Sequence, residues 1–292
     1  MSGASPSAGP PQAGLDSLGG SAAVLRGRGA DIPPAVEVLS VEKTYPNGTH
    51  ALQPVNLTVR EGEFVTLLGP SGCGKSTLLK MVAGLLPPSN GRLLLWRKPV
   101  AQIESSGHRL SFVFQEPTLM PWARVQANVR LPLDLAGVPA AQSTPRVHEA
   151  LAMVGLDNFA GHLPRELSGG MQMRVSIARG LVTQPTLLLM DEPFGALDEI
   201  TRHKLDSDLL GLWQQKKLTV IFVTHSIYEA VYLSTRVVVM AARPGRLIDE
   251  LSIDEPYPRG PEFRVSTAFS HHAKRLQDSL LRASGGVEGA LA

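Results

Sequence analysis

The stretch Glu63-Phe64-Val65-Thr66-Leu67-Leu68-Gly69-Pro70-Ser71-Gly72-Cys73-Gly74-Lys75-Ser76-Thr77 decides the fold. Its opening run is dense in apolar residues and reads as a buried strand. From Gly69 onward it fits the spacing G-x-x-x-x-G-K-[ST]. Glycines let backbone amides turn inward with no Cβ in the way, so many donors reach polyanionic oxygens at close range. Helical character begins at Lys75 and runs to Gly84, so the positive end of a helix faces the same point. Lys75 would then reach the β- and γ-phosphates and the Ser76 hydroxyl would ligate Mg²⁺. A chance Gly-rich turn rarely sits between a buried strand and a helix start, so residues Gly69, Pro70, Ser71, Gly72, Cys73, Gly74, Lys75, Ser76 and Thr77 are expected to bind a nucleotide.

Working outward, Leu187-Leu188-Leu189-Met190-Asp191-Glu192 is a second apolar run, ending in two acids. It puts Asp191 at the carboxyl edge of a sheet as a Mg²⁺ partner, and Glu192 next to it as the group that orients and deprotonates an attacking water. Alone, a strand end meeting solvent explains such a pair equally well; downstream of a phosphate loop, chemistry is the better reading. Leu218–Val223 looks like another buried strand, and Val36–Val41 and Leu52–Val59 like short strands around a turn at Pro46-Asn47-Gly48. Strands alternating with helices imply a mostly parallel sheet with helices packed on it. Between Trp122 and Leu167 the pattern turns helical and proline-broken, with Thr144 expected to cap a helix that has Pro145 at its first position, runs to Val154 and is stopped by Gly155.

Composition bounds the rest. The chain has 292 residues, 43% of them hydrophobic, enough for a substantial core. A net charge of +2 gives no field for nucleic acid or anionic lipid, and one cysteine excludes a disulfide framework and a multi-Cys zinc site. No apolar stretch approaches the length of a membrane span and no secretion signal is visible, so a soluble cytoplasmic protein is expected. Residues 1–34, mostly Gly, Ala, Pro and Ser, read as a disordered tail. Residues 252–292 lose the regular pattern and are taken as a C-terminal extension.

Leu167-Ser168-Gly169-Gly170-Met171 resembles the signature of the ABC-type ATPases, and the other motifs of that family occur in order. Tyr45 matches the aromatic that stacks on adenine, Gln115 the glutamine that senses Mg²⁺ and water, Gly195-Ala196-Leu197-Asp198 the loop at the dimer interface, and His225 the switch histidine. The resemblance covers about residues 36–250. It implies an α/β P-loop NTPase over residues 35–251, with a mostly parallel core sheet, a small antiparallel β subdomain and a helical insertion at about 122–167. It also implies that two copies pair head to tail, each ATP lying between one phosphate loop and the other copy's Ser168, Gly169 and Gly170. Glu192, His225 and Gln115 would be catalytic, with Asp198 near the nucleotide and Ser76, Gln115 and Asp191 on the metal.

The residues read the same way on physical grounds. Ser168 sits where a helix cap belongs, and a helix start with bare amides is an anion site. Met171, Val175, Ala178 and Val182 make an apolar stripe behind it. Two departures stand out: Met173 occupies a position where a second glutamine is common, and Ser226 replaces an acid after His225. Ser226 and Glu229 still form a Ser-x-x-Glu capping box.

Phe114-Gln115-Glu116-Pro117-Thr118-Leu119-Met120-Pro121-Trp122, followed by Asn128-Val129, looks like the branch that powers nitrate, sulfonate and taurine importers. That branch implies transmembrane permease subunits, indirectly a secreted or periplasmic substrate-binding protein, and a place on the cytoplasmic face of the inner membrane. Trp122 either receives a helix of the permease or packs into the helical insertion. Cys73, at a helix start, is expected to have a lowered pKa, or else to be a small filler. His271-His272 lacks the further ligands that a metal site needs. Two other readings remain: a non-transport ABC ATPase acting on ribosomes or DNA, which usually carries two cassettes, a coiled coil or a zinc hook, and a regulatory subunit that binds ATP without hydrolysing it.

Overall fold

Phe64–Leu68 is buried at every position, as a strand covered on both faces has to be. In the computed structural model, which describes Ile32, residues 34–195 and residues 197–283, this strand is the third of ten. The expected tail therefore lies outside the described residues except for Ile32 and Pro34, as does Ala196. In chain order the elements are β1 (Pro34–Thr44), β2 (His50–Arg60), β3 (Phe64–Leu68), α1 (Lys75–Val82), β4 (Asn90–Leu95), β5 (Lys98–Pro99) and β6 (Leu110–Val113). Then come α2 (Val125–Leu135), α3 (Ala140–Met153), α4 (Gly169–Leu181), β7 (Leu187–Asp191), α5 (Glu199–Lys216) and β8 (Thr219–Thr224). The chain continues through α6 (Ile227–Leu233), β9 (Arg236–Ala241), β10 (Arg246–Ser252) and α7 (Thr267–Ala283).

The main sheet has the order β10-β9-β3-β8-β7-β6, and all its strands run parallel except β10. Side chains alternate across it, as a strand's two-residue period requires. Leu188, Met190, Val220 and Phe222 face α4, α5 and α6. Leu187, Leu189, Ile221 and Val223 face α1 and the second sheet. That second sheet is antiparallel, in the order β2-β1-β4-β5, and buries Val36, Val38, Leu57 and Val59 against the Leu78, Leu79 and Val82 side chains of α1.

The parallel register is what builds a site. Leu68 pairs with Thr224, Asp191 with Val223 and Val113 with Met190. The loops that leave β3, β8, β7 and β6 thus emerge side by side at one edge, the place where open parallel sheets bind ligands.

Two elements differ from the sequence reading. α3 begins at Ala140 and carries Pro145 inside it, not at its first position. Proline there removes one hydrogen bond to the carbonyl of Ala141, a loss that costs least at an exposed residue such as this one. Residues 252–283 are not irregular throughout, because α7 buries Phe269 and Leu276 in the same core as α6 and β9.

Candidate active site

The phosphate loop is held by close packing rather than by side-chain caps. A Cβ at Gly69 would lie 2.5 Å from the Met240 carbonyl oxygen, so only glycine lets β9 come this near. Gly74, at φ 90°, is the N-cap of α1 and offers no side-chain acceptor, which leaves the first amides of α1 free for an anion. Lys75 folds back over the loop: its Nζ donates to Gly69 O at 2.8 Å and Pro70 O at 3.0 Å. Tyr45, at the end of the β1 side of the first hairpin, has its hydroxyl 3.3 Å from Thr77 Oγ1, which sets its ring beside the loop.

Cys73 is fully buried, and burial pushes its thiol up, the nearby Lys75 ammonium offsetting only part of the effect. The expectation of a lowered pKa is therefore wrong. A helix start activates a thiol that meets water, and this one faces Gly69 and the second core instead.

At the end of β7, Asp191 Oδ1 accepts a hydrogen bond from Ser76 Oγ at 2.7 Å. Burial raises the Asp191 carboxyl, with the Ser76 bond and the Lys80 charge pulling the other way. A buried carboxylate beside a hydroxyl, both hard oxygen donors, is a donor set that suits Mg²⁺. Gln115 is exposed just past β6, the strand next to β7, and forms no hydrogen bond with Ser76 or Asp191.

Glu192 stands at the centre of the edge. Its φ of 44° is unusual for a residue with a side chain and costs about 1–3 kcal/mol. The fold holds it there, since Glu192 N donates to Val223 O at 3.0 Å, extending the β7–β8 ladder by one rung. The carboxylate lies between two basic side chains: Oε1 is 3.5 Å from Lys75 Nζ and Oε2 is 3.3 Å from His225 Nδ1. Three residues far apart in sequence thus meet at one sheet edge.

The second helix start is built separately. Ser168 Oγ accepts from Met171 N at 3.3 Å, so Ser168 caps α4 in the expected way. A Cβ at Gly170 would meet Thr201 Cγ2 at 3.0 Å, which seats this turn against the start of α5. Asp198 caps α5 by accepting from Thr201 N at 3.0 Å, a bond that holds its carboxyl below the usual range. Among the described residues, the hydrogen bonds of Ser168 go to Met171 and Gln172, not to the phosphate loop.

The capping box after His225 is only half formed. Glu229 N donates to Ser226 Oγ, but the Glu229 carboxylate accepts from Thr224 Oγ1 and pairs with Arg202 instead of returning to Ser226. Sequence reasoning also missed Arg179 of α4, which donates to Pro117 O at 2.9 Å and Thr118 O at 2.9 Å and so hangs the Gln115 loop on the signature helix. Local spacing carries no sign of so long-range a bond. Trp122, in that same loop, is 78% exposed, which removes the reading in which it packs into the helical insertion. Among the described residues no helix is long and apolar enough to cross a membrane.

Known proteins place the chain in a family. Residues 52–195 match the ABC transporter family. The chain is 49% identical over 210 residues to a taurine import ATP-binding protein of Rhizobium johnstonii, covering 72% of this chain and 79% of that one. It is 46% identical over 231 residues to an aliphatic sulfonates import ATP-binding protein of Bacillus licheniformis, covering 78% and 87%. A dimeric ATP-binding cassette solved in a post-hydrolysis state with ADP and Pi superposes with a TM-score of 0.67 at 34% identity, over 76% of this chain and all of that one. With its phosphate loop, acid pair at the end of β7 and capped second helix start, this chain belongs to the ATP-binding subunits of the ABC transporter family and is an ATPase.

Proposed function

We infer that this subunit powers a membrane permease that imports a small anion of the nitrate, sulfonate and taurine class, by ATP-driven head-to-tail pairing of two copies. The observation that carries the reading is the meeting of Lys75, Glu192 and His225 at one sheet edge, while the capped helix start at Ser168–Gly170 lies elsewhere on the chain. Each copy then holds two anion stations that a single nucleotide occupies only when they come from different subunits. The importer branch draws support from the relatives named for taurine and sulfonate import and from exposed Trp122, a large apolar surface suited to a permease helix.

In this reading Tyr45 stacks on the base and the amides from Gly69 to Thr77 hold the phosphates. Lys75 leaves its own loop carbonyls for the β- and γ-phosphates. Ser76 and Asp191, with Gln115 approaching from the next loop, hold Mg²⁺, which when bound neutralises phosphate charge. Glu192 orients a water in line with the γ-phosphate and takes its proton, and His225 fixes the carboxylate and the γ-phosphate. The partner copy's Ser168, Gly169 and Gly170 close the site, with Asp198 at the seam. Hydrolysis then separates the copies and resets the permease, which sits in the membrane with this subunit on its cytoplasmic side. Substrate arrives through a secreted or periplasmic binding protein, and no nucleic acid takes part.

Glu192→Gln tests the scheme. It should bind ATP with Mg²⁺, lose turnover and sediment as a dimer. A variant that stays monomeric when saturated with nucleotide refutes the pairing, and one with wild-type turnover refutes the base. Uptake of labelled taurine, alkanesulfonate and nitrate into cells with and without the subunit then assigns the substrate; equal uptake of all three in both refutes the importer branch.

A further inference from the structure

α5 places Arg202 and Asp206 four residues apart, hence on one face of the helix, and that face turns inward. Asp206 is 0% exposed. Opposite them lie Glu229 of α6 and Arg264 of the turn Pro261–Val265 that precedes α7, so two buried carboxyls meet two partly buried arginines, the four groups coming from three separate elements. Arg264 Nη2 donates to Asp206 Oδ2 at 2.8 Å, and its guanidinium lies 3.6 Å from the centre of the Tyr232 ring.

The outward connections matter more than the cluster itself. Arg202 Nη2 donates to the Leu197 carbonyl at 2.7 Å, one residue before the Asp198 cap. Arg202 Nε lies 3.5 Å from Glu229 Oε1, and Glu229 Oε2 accepts from Thr224 Oγ1. Thr224 Oγ1 in turn accepts from Ser226 N at 3.0 Å, so the Thr224 hydroxyl straps the backbone on both sides of His225. A continuous chain of polar contacts therefore runs from the 197–198 loop to the histidine that touches Glu192.

We propose that Arg202, Glu229, Asp206 and Arg264 form a positioning relay that keeps the His225 loop in register with the Leu197–Asp198 loop, and that the C-terminal segment completes it through Arg264. None of the four touches the reacting atoms; they act through Thr224 and Leu197. Stability alone is a poor account of the cluster, because desolvating charges costs much of what their pairing returns and apolar residues of the same volume hold a core as well. Asp206 Oδ1 and Arg202 Nε have no hydrogen-bond partner, so the cluster keeps capacity to shift partners when either loop moves. Burial and the neighbouring Glu229 push the Asp206 carboxyl up to about 7, while Arg264 and Arg202 hold that rise back. Removing Arg264 leaves two carboxyls facing Arg202 alone, and Glu229 then has to share the arginine that anchors it to Leu197.

The test uses the full chain, with wild-type ATP turnover measured first, so that failure of the ATPase reading shows there and failure of the relay shows in the variants. Arg264→Gln should lower kcat by about tenfold, the order expected when a catalytic group is slightly misplaced, and leave KM for ATP and nucleotide affinity unchanged. Arg264→Lys should recover part of kcat, and Arg264→Gln combined with Asp206→Asn should recover more than either single change, because the pair leaves together. Arg282→Ala, which removes an exposed ion pair to Asp249 on the same segment, should turn over like wild type. A merely structural role predicts a fall in melting temperature with kcat per folded molecule intact. That result, or a double variant no better than the single ones at equal folded fraction, overturns the proposal.

Discussion

Arg259 supplies the sharpest test of how the C-terminal segment is attached. Its side chain is 4% exposed, and its guanidinium donates to five backbone carbonyls: Nη1 to Val231 at 2.9 Å, Tyr232 at 2.9 Å and Ser234 at 3.0 Å, and Nη2 to Ile253 at 3.1 Å and Glu255 at 3.2 Å. The same group lies 4.0 Å from the Tyr257 ring centre. One residue thus ties the end of α6 to the chain that leaves β10. Arg259→Met keeps most of the stem's packing and removes every donor. Each bond from a charged donor contributes about 1.5–3 kcal/mol, yet the full set is not lost, because burial already disfavours the charge and lowers its pKa. Breaking one side of a buried network costs about 3–5 kcal/mol. At about 2–4 °C per kcal/mol for a chain of this size, melting should fall by roughly 10 °C. Calorimetry reads the shift, and limited proteolysis should find its new cuts between Ile253 and Thr267, where the segment is no longer anchored. A melting temperature within about 3 °C of wild type would refute the attachment argument, since uncompensated buried carbonyls cannot be that cheap.

The remaining expectations concern single groups. Native Cys73 should alkylate far more slowly than free cysteine at pH 8 and at the ordinary rate once the protein is unfolded; equal rates in both states would mean the thiol is neither buried nor raised. Burial pushes the Asp206 carboxyl in the folded chain up to about 7, well above the usual carboxylate value, so between these values the native form binds more protons and stability falls as pH rises. Asp206→Asn should therefore remove a slope of up to about 1.4 kcal/mol per pH unit from that window, and unfolding curves at several pH values measure it. Trp122→Ala should weaken capture of the permease by a factor of about thirty, a loss typical of an exposed tryptophan that becomes an interface anchor; undiminished capture places the docking surface elsewhere.

What was legible in the sequence was what local pattern encodes. The run ending at Leu68, the glycine spacing to Lys75 and the acids after Met190 each carry their conformation in a few neighbouring residues, and the parallel register then follows from strand and helix alternation. The Ser168 cap was legible for the same reason. Arg179 reaching Thr118, and Arg202 reaching Leu197 and Glu229, were not, because a long side chain that bridges two elements leaves no period behind it. α7 is a different case. Phe269, Ala273, Leu276 and Leu280 recur at helical spacing, but the prolines from Pro256 to Pro261 obscured where that pattern starts. Of the two readings of Cys73 the small filler stands and the lowered pKa does not, because sequence shows that a thiol sits at a helix start and not whether water reaches it.

Glu192 joins these strands of reasoning. A residue with a side chain adopts φ near 44° only where its surroundings leave no alternative, and here each constraint has a different origin. Fully buried β7 fixes the residue before it, the Val223 carbonyl fixes its amide, and its own carbonyl accepts from Gly195 N at 3.2 Å. The strain aims the carboxylate at Lys75 and His225 rather than along the sheet. His225 is itself strapped through Thr224, so the geometry at Glu192 depends on the relay below it as much as on β7. It follows that weakening the relay should act on turnover before it acts on nucleotide affinity, because the phosphate loop is held by Gly69 against β9 and by the bonds of Lys75 to its own loop carbonyls.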